Sequence, residues 1–333
     1  MLFRRCNTGS LLKYFLFLAV LFGLLNGCVY KNEEDSQPKE NPEEKMDAVH
    51  IFKPNIISTP LYERDLAITP DRKEMIYTLG DQKQTRRCLV SVKKGKEGWG
   101  ESQILNISGR YQDIEPFFHL EGQRLYFASD RPIFGDSTRS DYNIWYSDRE
   151  ENGWSKPVPL DSTINSTGNE FYPSLSESGH LYFTATREEG PGREDIYRCE
   201  WENEKFSAPV PLPGEINTAY YEFNAFISPD ERYLIFSSYG RQDGLGGGDL
   251  YVSEKDTSGQ WSTARHLEAP VNSSALDYCP FVDADYLYFT SERMAPLEDS
   301  IGHLDQLRSY ASGIENGFGN IYRIRFKDLL SDK

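Results

Sequence analysis

The stretch Ile216-Asn217-Thr218-Ala219-Tyr220-Tyr221-Glu222 decides the fold, because its frame recurs: an aliphatic residue, then Ser or Asn, then an acid six positions after the aliphatic one. The other copies are Ile57-Ser58 with Glu63, Ile107-Ser108 with Asp113, Ile164-Asn165 with Glu170, and Val271-Asn272 with Asp277. Successive acids stand 50 to 57 residues apart, a spacing at which repeats mean a solenoid or a propeller. Each acid is followed by a short apolar stretch, a turn and a second apolar run: Met75-Ile76-Tyr77, Leu125-Tyr126-Phe127, Leu181-Tyr182-Phe183, Leu234-Ile235-Phe236 and Leu287-Tyr288-Phe289. Aromatic and branched residues bounded by Gly, Asp, Ser and Pro suit a pleated, half-buried surface, so these runs are strands.

A turn then leads to a third strand, Asn143-Ile144-Trp145-Tyr146, Asp195-Ile196-Tyr197, Asp249-Leu250-Tyr251 or Asn320-Ile321-Tyr322. A fourth is expected from Trp154 to Leu160, Phe206 to Leu212 and Trp261 to Leu267. Proline is tolerated there because an outermost strand has a free edge where a missing N–H costs little. Four strands per repeat make a propeller blade. The expected fold class is therefore all-β, a five-bladed β-propeller of four-stranded blades.

After its fifth third-strand, Ile321 to Phe326, the chain stops within a few residues, so one outer strand is missing. Val49-His50-Ile51-Phe52-Lys53-Pro54 precedes Ile57 much as Trp154-Ser155-Lys156-Pro157 precedes Ile164. This N-terminal segment is expected to complete the last blade and close the ring, leaving only short protected edges. Repeat one is the weakest copy: it lacks the Gly-rich turn and reads Arg86-Arg87-Cys88-Leu89 where others read Asp-Ile-Tyr. Repeat five carries the one large insertion, Met294 to Asn316.

Residues 1–27 read as a secretory signal: Arg4, Arg5 and Lys13 precede an apolar core from Tyr14 to Leu25. That core is nearer a dozen residues than the roughly 20 that a spanning helix needs. Leu25-Asn26-Gly27-Cys28 resembles the bacterial lipobox, which implies a diacylated Cys28 as mature N-terminus and an outer-membrane lipoprotein. The alternative is an ordinary signal peptide with an incidental Cys. Residues 28–48 form a polar, acidic, Pro-containing linker with nothing to bury, the composition of a flexible tether. Its Lys31 followed by Glu33-Glu34-Asp35 resembles the surface-export signal of Bacteroidetes lipoproteins, with solvated linker charge as the alternative. Residues 49–333 then make one propeller domain, long enough for a closed ring with a substantial core.

The formal net charge is −16, and removing Arg4, Arg5 and Lys13 with the signal leaves −19. Such a surface repels nucleic acid and anionic lipid, and no basic patch offsets it. Membrane contact is expected through the lipid anchor only. Cys88, Cys199 and Cys279 fall at different places in three repeats, which suits thiols rather than a disulfide framework. The five histidines share no repeat position, so no metal site or catalytic triad is legible. The run Gly244 to Gly248 lacks the following Lys-Ser/Thr and leads into a strand, so it is a turn and not a phosphate loop. No cofactor is expected.

Glu222-Phe-Asn-Ala-Phe-Ile-Ser-Pro-Asp230-Glu-Arg-Tyr-Leu234-Ile-Phe-Ser-Ser, followed by Gly244-Leu-Gly-Gly-Gly-Asp249-Leu-Tyr251, resembles the WD40-like beta-propeller repeat of bacterial envelope proteins, the TolB-like repeat. The resemblance spans nearly everything from Ile57 to Phe326, is good in repeats two to four, degenerate in one and interrupted in five. It implies an envelope propeller, periplasmic or on the surface, that binds protein or glycan, usually without catalysis. No peptidoglycan-binding domain and no TolB-type N-terminal domain is legible beside it in the sequence, so neither specific role is expected to carry over.

The five acids, Glu63, Asp113, Glu170, Glu222 and Asp277, fall where each innermost strand begins. One reading makes them a ring of carboxylates for a cation or a sugar. The favoured reading is structural, each acid accepting backbone N–H bonds or meeting Arg131, Arg187 or Arg293 to lock neighbouring blades, because all repeats carry it. A glycosidase needs two carboxylates flanking the scissile bond, and no acid stands out from its repeat equivalents, so enzyme activity is not expected. In the insertion, Ile301, Leu304, Leu307 and Tyr310 recur at threes beside His303, the pattern of a short amphipathic helix that buries against its own propeller or a partner. The expected function is a non-catalytic protein-binding or assembly module of the envelope. The alternative is a surface glycan-binding protein or glycosidase, which a pocket holding two carboxylates and aromatics at one end of the channel would favour.

Overall fold

The computed structural model describes residues 48–296 and 300–330. The signal segment, Cys28 and the linker up to residue 47 lie outside the described residues, as does Leu297 of the insertion.

Five antiparallel sheets stand in a ring, each built outward from an innermost strand: Tyr62–Ile68, Asp113–His119, Glu170–Leu175, Tyr221–Ile227 and Asp277–Asp283. Each innermost strand packs on the next, and the fifth on the first. The Leu-Tyr-Phe runs are the second strands, and their residues fill the space between blades. Tyr126 and Ile144 of the second blade, for example, share one apolar cluster with Leu175, Leu181 and Phe183 of the third. Equivalent clusters join every other neighbouring pair. Fully burying one such side chain contributes about 1.5–3 kcal/mol, so the ring is held by its inter-blade cores.

The N-terminal segment closes the ring as its sequence suggests. His50 pairs with Arg323 and Ile51 with Tyr322, giving the last sheet its fourth strand. The Phe52 N–H then donates to the Ile321 carbonyl at 2.8 Å, and the Phe52 ring packs edge-on against Tyr288 with centroids 4.9 Å apart.

The outer strands are shorter than expected. Each is a two-residue pairing, such as Val158–Pro159 and Val210–Pro211. Trp154 instead pairs with Arg149 in a hairpin that extends the third strand. Pro157 and Pro159 explain the interruption, since neither can donate to the ladder. The Gly-rich turn of the fourth blade comes close to the chain entering the fifth: a side chain at Gly246 would collide with the backbone at Ser274 and Ala275.

Candidate functional site

The recurring frame builds a clasp between blades. In three copies the Asn after the aliphatic residue acts as a false strand on the preceding blade. Asn165 accepts the Ile144 N–H at 2.8 Å and donates to its carbonyl at 3.0 Å, and Asn217 and Asn272 do the same to Ile196 and Leu250. The next residue secures the acid. Thr218 donates to Glu222 from its N–H at 2.8 Å and its hydroxyl at 2.7 Å, and Ser166 and Ser273 bind Glu170 and Asp277 likewise.

An arginine completes each of these clasps. Arg293 donates to Asp277 and to the Val271 carbonyl, both at 2.7 Å. Arg131 pairs with Asp113 and Arg187 with Glu170, and each also reaches the carbonyl of its own aliphatic residue. The fourth copy uses Arg241, which binds Glu222 at 3.1 Å. Sequence reasoning missed it because Tyr239 and Gly240 displace it from the Ser-x-Arg spacing. Each arginine therefore binds the acid of its own blade and the segment arriving from the blade before.

Among the described residues, Glu63 has no arginine partner. It accepts from Thr59 and from Asn320 of the last blade at 2.9 Å. Burial pushes its carboxyl up to about 7, against the pull of these hydrogen bonds. All five acids are fully buried, and none lines a cavity among those described.

Two positions after each acid lies a left-handed residue: Asp65, Glu115, Tyr172, Asn224 and Cys279, with φ between 49° and 60°. Each sits at a register shift in its innermost strand. Such a conformation costs on the order of 1–3 kcal/mol in a residue other than Gly, so it needs support. Thr78 and Thr184 of the preceding blades accept the N–H groups of Glu115 and Asn224 at 3.1 Å. The second blade has Ala128 where these have Thr, and there the Glu115 carboxylate accepts the Tyr172 N–H instead, at 2.7 Å. The other oxygen of Glu115 is held by Arg64 at 2.9 Å and Asn224 at 3.2 Å. Arg64 also binds Asp65 at 2.8 Å. Burial raises the Glu115 carboxyl above the ordinary range, with Arg64 opposing.

Above this buried polar cluster opens a cavity of about 460 Å³, within the usual size of ligand pockets. Its inner wall is the residue directly after each acid: Arg64, Ile114, Phe171, Phe223 and Tyr278. Its rim includes the residues at or just ahead of the start of the third strands, where the register makes Arg87, Tyr142 and Glu194 equivalent. Tyr221 and Tyr239 complete the aromatic side. The Tyr142 and Phe171 rings lie 5.1 Å apart and those of Tyr221 and Tyr239 6.0 Å apart. Burial alone raises the Glu194 carboxyl.

Glu194 has no acidic counterpart at its position in the other blades, which carry Arg87, Tyr142, Gly248 and Gly319, whereas Glu115 has one in Asp65, bound to the same Arg64. The sequence expectation that no acid stands apart from its repeat equivalents is therefore corrected. These positions were readable as the columns in which the five repeats disagree.

The insertion forms a helix, Leu304–Ala311, with His303 at its N-cap, and it buries none of its residues. Ile301, Leu304 and Leu307 are exposed, while the Tyr310 hydroxyl donates to the Ala295 carbonyl at 3.1 Å. Cys88, Cys199 and Cys279 are free thiols, the first only half-buried.

No family model matches the chain, and no curated protein matches it. Among solved structures it is similar to the arabinanase Arb43A of Bacillus subtilis, with 12% identity and a TM-score of 0.50 over 81% of this chain and 97% of that one. It is also similar to CoXyl43, a β-xylosidase/α-arabinofuranosidase from a compost microbial metagenome, with 9% identity and a TM-score of 0.48 over 84% of this chain and 95% of that one. TolB from Acinetobacter baumannii matches with 13% identity and a TM-score of 0.39 over 83% of this chain, which spans about half of that protein's length. At these identities the likeness is one of fold: the protein is a five-bladed β-propeller.

Proposed function

We propose that this propeller is a non-catalytic glycan-binding module of the cell envelope, anchored to the outer membrane by lipid on Cys28, and that it takes a saccharide into the axial cavity. The observation that carries the reading is the cavity wall, where aromatic rings face a few polar groups above a floor already fixed by its own hydrogen bonds. Sugar rings present apolar C–H faces that pack on aromatic rings, while their hydroxyls suit sparse, positioned polar groups. Glu194 and Arg87 supply such groups.

Binding is favoured over hydrolysis because both oxygens of Glu115 are engaged, by Arg64 and Asn224 on one side and the Tyr172 N–H on the other. That leaves Glu194 as the one carboxylate of the wall able to act, whereas glycoside hydrolysis ordinarily uses two. A protein-binding role has one observation of its own, the exposed apolar residues of the Leu304–Ala311 helix. Screening the purified protein and Phe171→Ala on a glycan array tests the proposal. The wild type should retain a defined saccharide class that the variant loses while keeping its melting temperature; a blank array, or equal binding by both proteins, would overturn it.

A further inference from the structure

The rim position at the start of the third strand distinguishes the blades most sharply: it is Arg87 in the first, Tyr142 in the second, Glu194 in the third, Gly248 in the fourth and Gly319 in the fifth. Two cations line the cavity, and they are in different states. Arg64 is spent on Asp65 and Glu115, at 2.8 and 2.9 Å. Arg87 forms no ion pair among the described residues. Its Nη2 donates to the Tyr142 hydroxyl and its Nε to Gln112 Oε1 at 3.4 Å, with the guanidinium over the Tyr142 ring at 5.5 Å. Those contacts fix the plane of the group and use two of its three nitrogens.

A guanidinium hydrogen-bonded to neutral partners beside an aromatic wall, its charge felt by Glu115 without an ion pair, is a fork without its own anion. Arginine matches the two oxygens of a carboxylate or sulfate in a way a hydroxyl cannot, and charge-assisted bonds of this kind are roughly twice as strong as neutral ones. The net charge of −16 does not forbid an anionic ligand here, since exposed charges more than about 8 Å away are largely screened at physiological salt. Glu194 enters from the third blade, whereas Arg87 and Tyr142 enter from the first and second. It can accept hydroxyl protons from the uncharged part of the same ligand.

We propose that the axial cavity selects an anionic saccharide, with the acidic substituent of one sugar residue, a carboxylate or a sulfate ester, seated on Arg87. This inference rests on the glycan-binding reading and adds the charge of the ligand to it. Arg87 acts as a specificity determinant and not as part of the fold's clasps.

The test is calorimetric titration of the full protein with a galacto-oligosaccharide, an oligogalacturonate of the same length and a sulfated galacto-oligosaccharide. The wild type should bind at least one anionic probe about tenfold or more tightly than the neutral one, and the stronger of the two identifies the substituent. Arg87→Gln, which keeps a donor toward Tyr142, should lose that preference, its affinity for the anionic probe falling about tenfold or more toward that for the neutral one. Arg87→Lys, which keeps the charge without the fork, should retain part of the preference and serves if the Gln variant does not fold. Equal binding of all three probes by the wild type, or an undiminished preference in the variants, overturns the anionic assignment and leaves the glycan reading standing. Failure of every probe to bind overturns both.

Discussion

Arg64 of the first blade reaches Glu115 of the second, Nη2 to Oε1 at 2.9 Å, directly beneath the axial cavity. The same guanidinium holds Asp65 at 2.8 Å, and both carboxylates are buried. Removing the cation alone would strand two acids in a dry interior. We expect Arg64→Ala to lose about 3–5 kcal/mol, a fall in melting temperature of roughly 10 °C. Calorimetric melting checks this, and a variant melting within a degree or two of wild type would show that the cluster does not support the ring.

Ring closure rests on a short segment, and truncation should expose it. A protein beginning at Ile57 lacks the His50–Arg323 and Ile51–Tyr322 pairs and the Phe52 ring. It should melt lower than one beginning at residue 47 and aggregate through its bared strand edge. Phe52→Ala isolates the packing part, with an expected cost of about 3–5 kcal/mol. Equal melting of all three would mean that the ring is closed by other contacts.

The clasp acids should respond differently to amidation. Glu222→Gln leaves Arg241 without its charge partner and should destabilise by about 3–5 kcal/mol. Glu63 has no such partner, and its folded-state carboxyl titrates near 7 against an ordinary value of 4.5. Because the folded chain holds that proton more tightly, stability falls as pH rises from about 4.5 to 7, by up to about 1.4 kcal/mol per pH unit. Glu63→Gln should therefore flatten the melting profile in this window and gain on wild type at pH 8. Parallel profiles for the two proteins would contradict the assignment.

These contrasts show what was legible in the chain. The five-blade ring and its closure could be read because the features that make them recur: an acid and an apolar second strand in every copy, and an amide side chain in three. The cavity could not be read in that way, because it is built where copies differ. Arg87, Tyr142 and Glu194 share one register position and no chemistry. Nor does any Gly announce the left-handed residues; the N–H groups of Asp65, Glu115, Tyr172 and Asn224 are held by partners that appear only when the blades are assembled. The exposed helix shows the limit of periodicity: threefold spacing of Leu304, Leu307 and Tyr310 marked a helix without telling what it faces.

Membrane attachment has its own test. Cys28→Ala should abolish palmitate labelling and release the protein from the membrane fraction, since the linker offers no apolar stretch to replace the acyl chains. Continued labelling would place the lipid elsewhere or refute it.

The site of ligand capture is tested most directly by calorimetric titration of three proteins with the saccharide that the wild type binds. Leu276→Trp narrows the axial cavity from the fifth blade, and replacing residues 297–314 with a short Gly-Ser link removes the exposed helix. The link should change stability by no more than about 0.5 kcal/mol, as exposed side chains allow. We expect Leu276→Trp to weaken binding at least tenfold, about 1.4 kcal/mol, and the loop replacement to leave it unchanged. Loss of binding on loop replacement, with full affinity in Leu276→Trp, would contradict the axial site and move recognition to the helix.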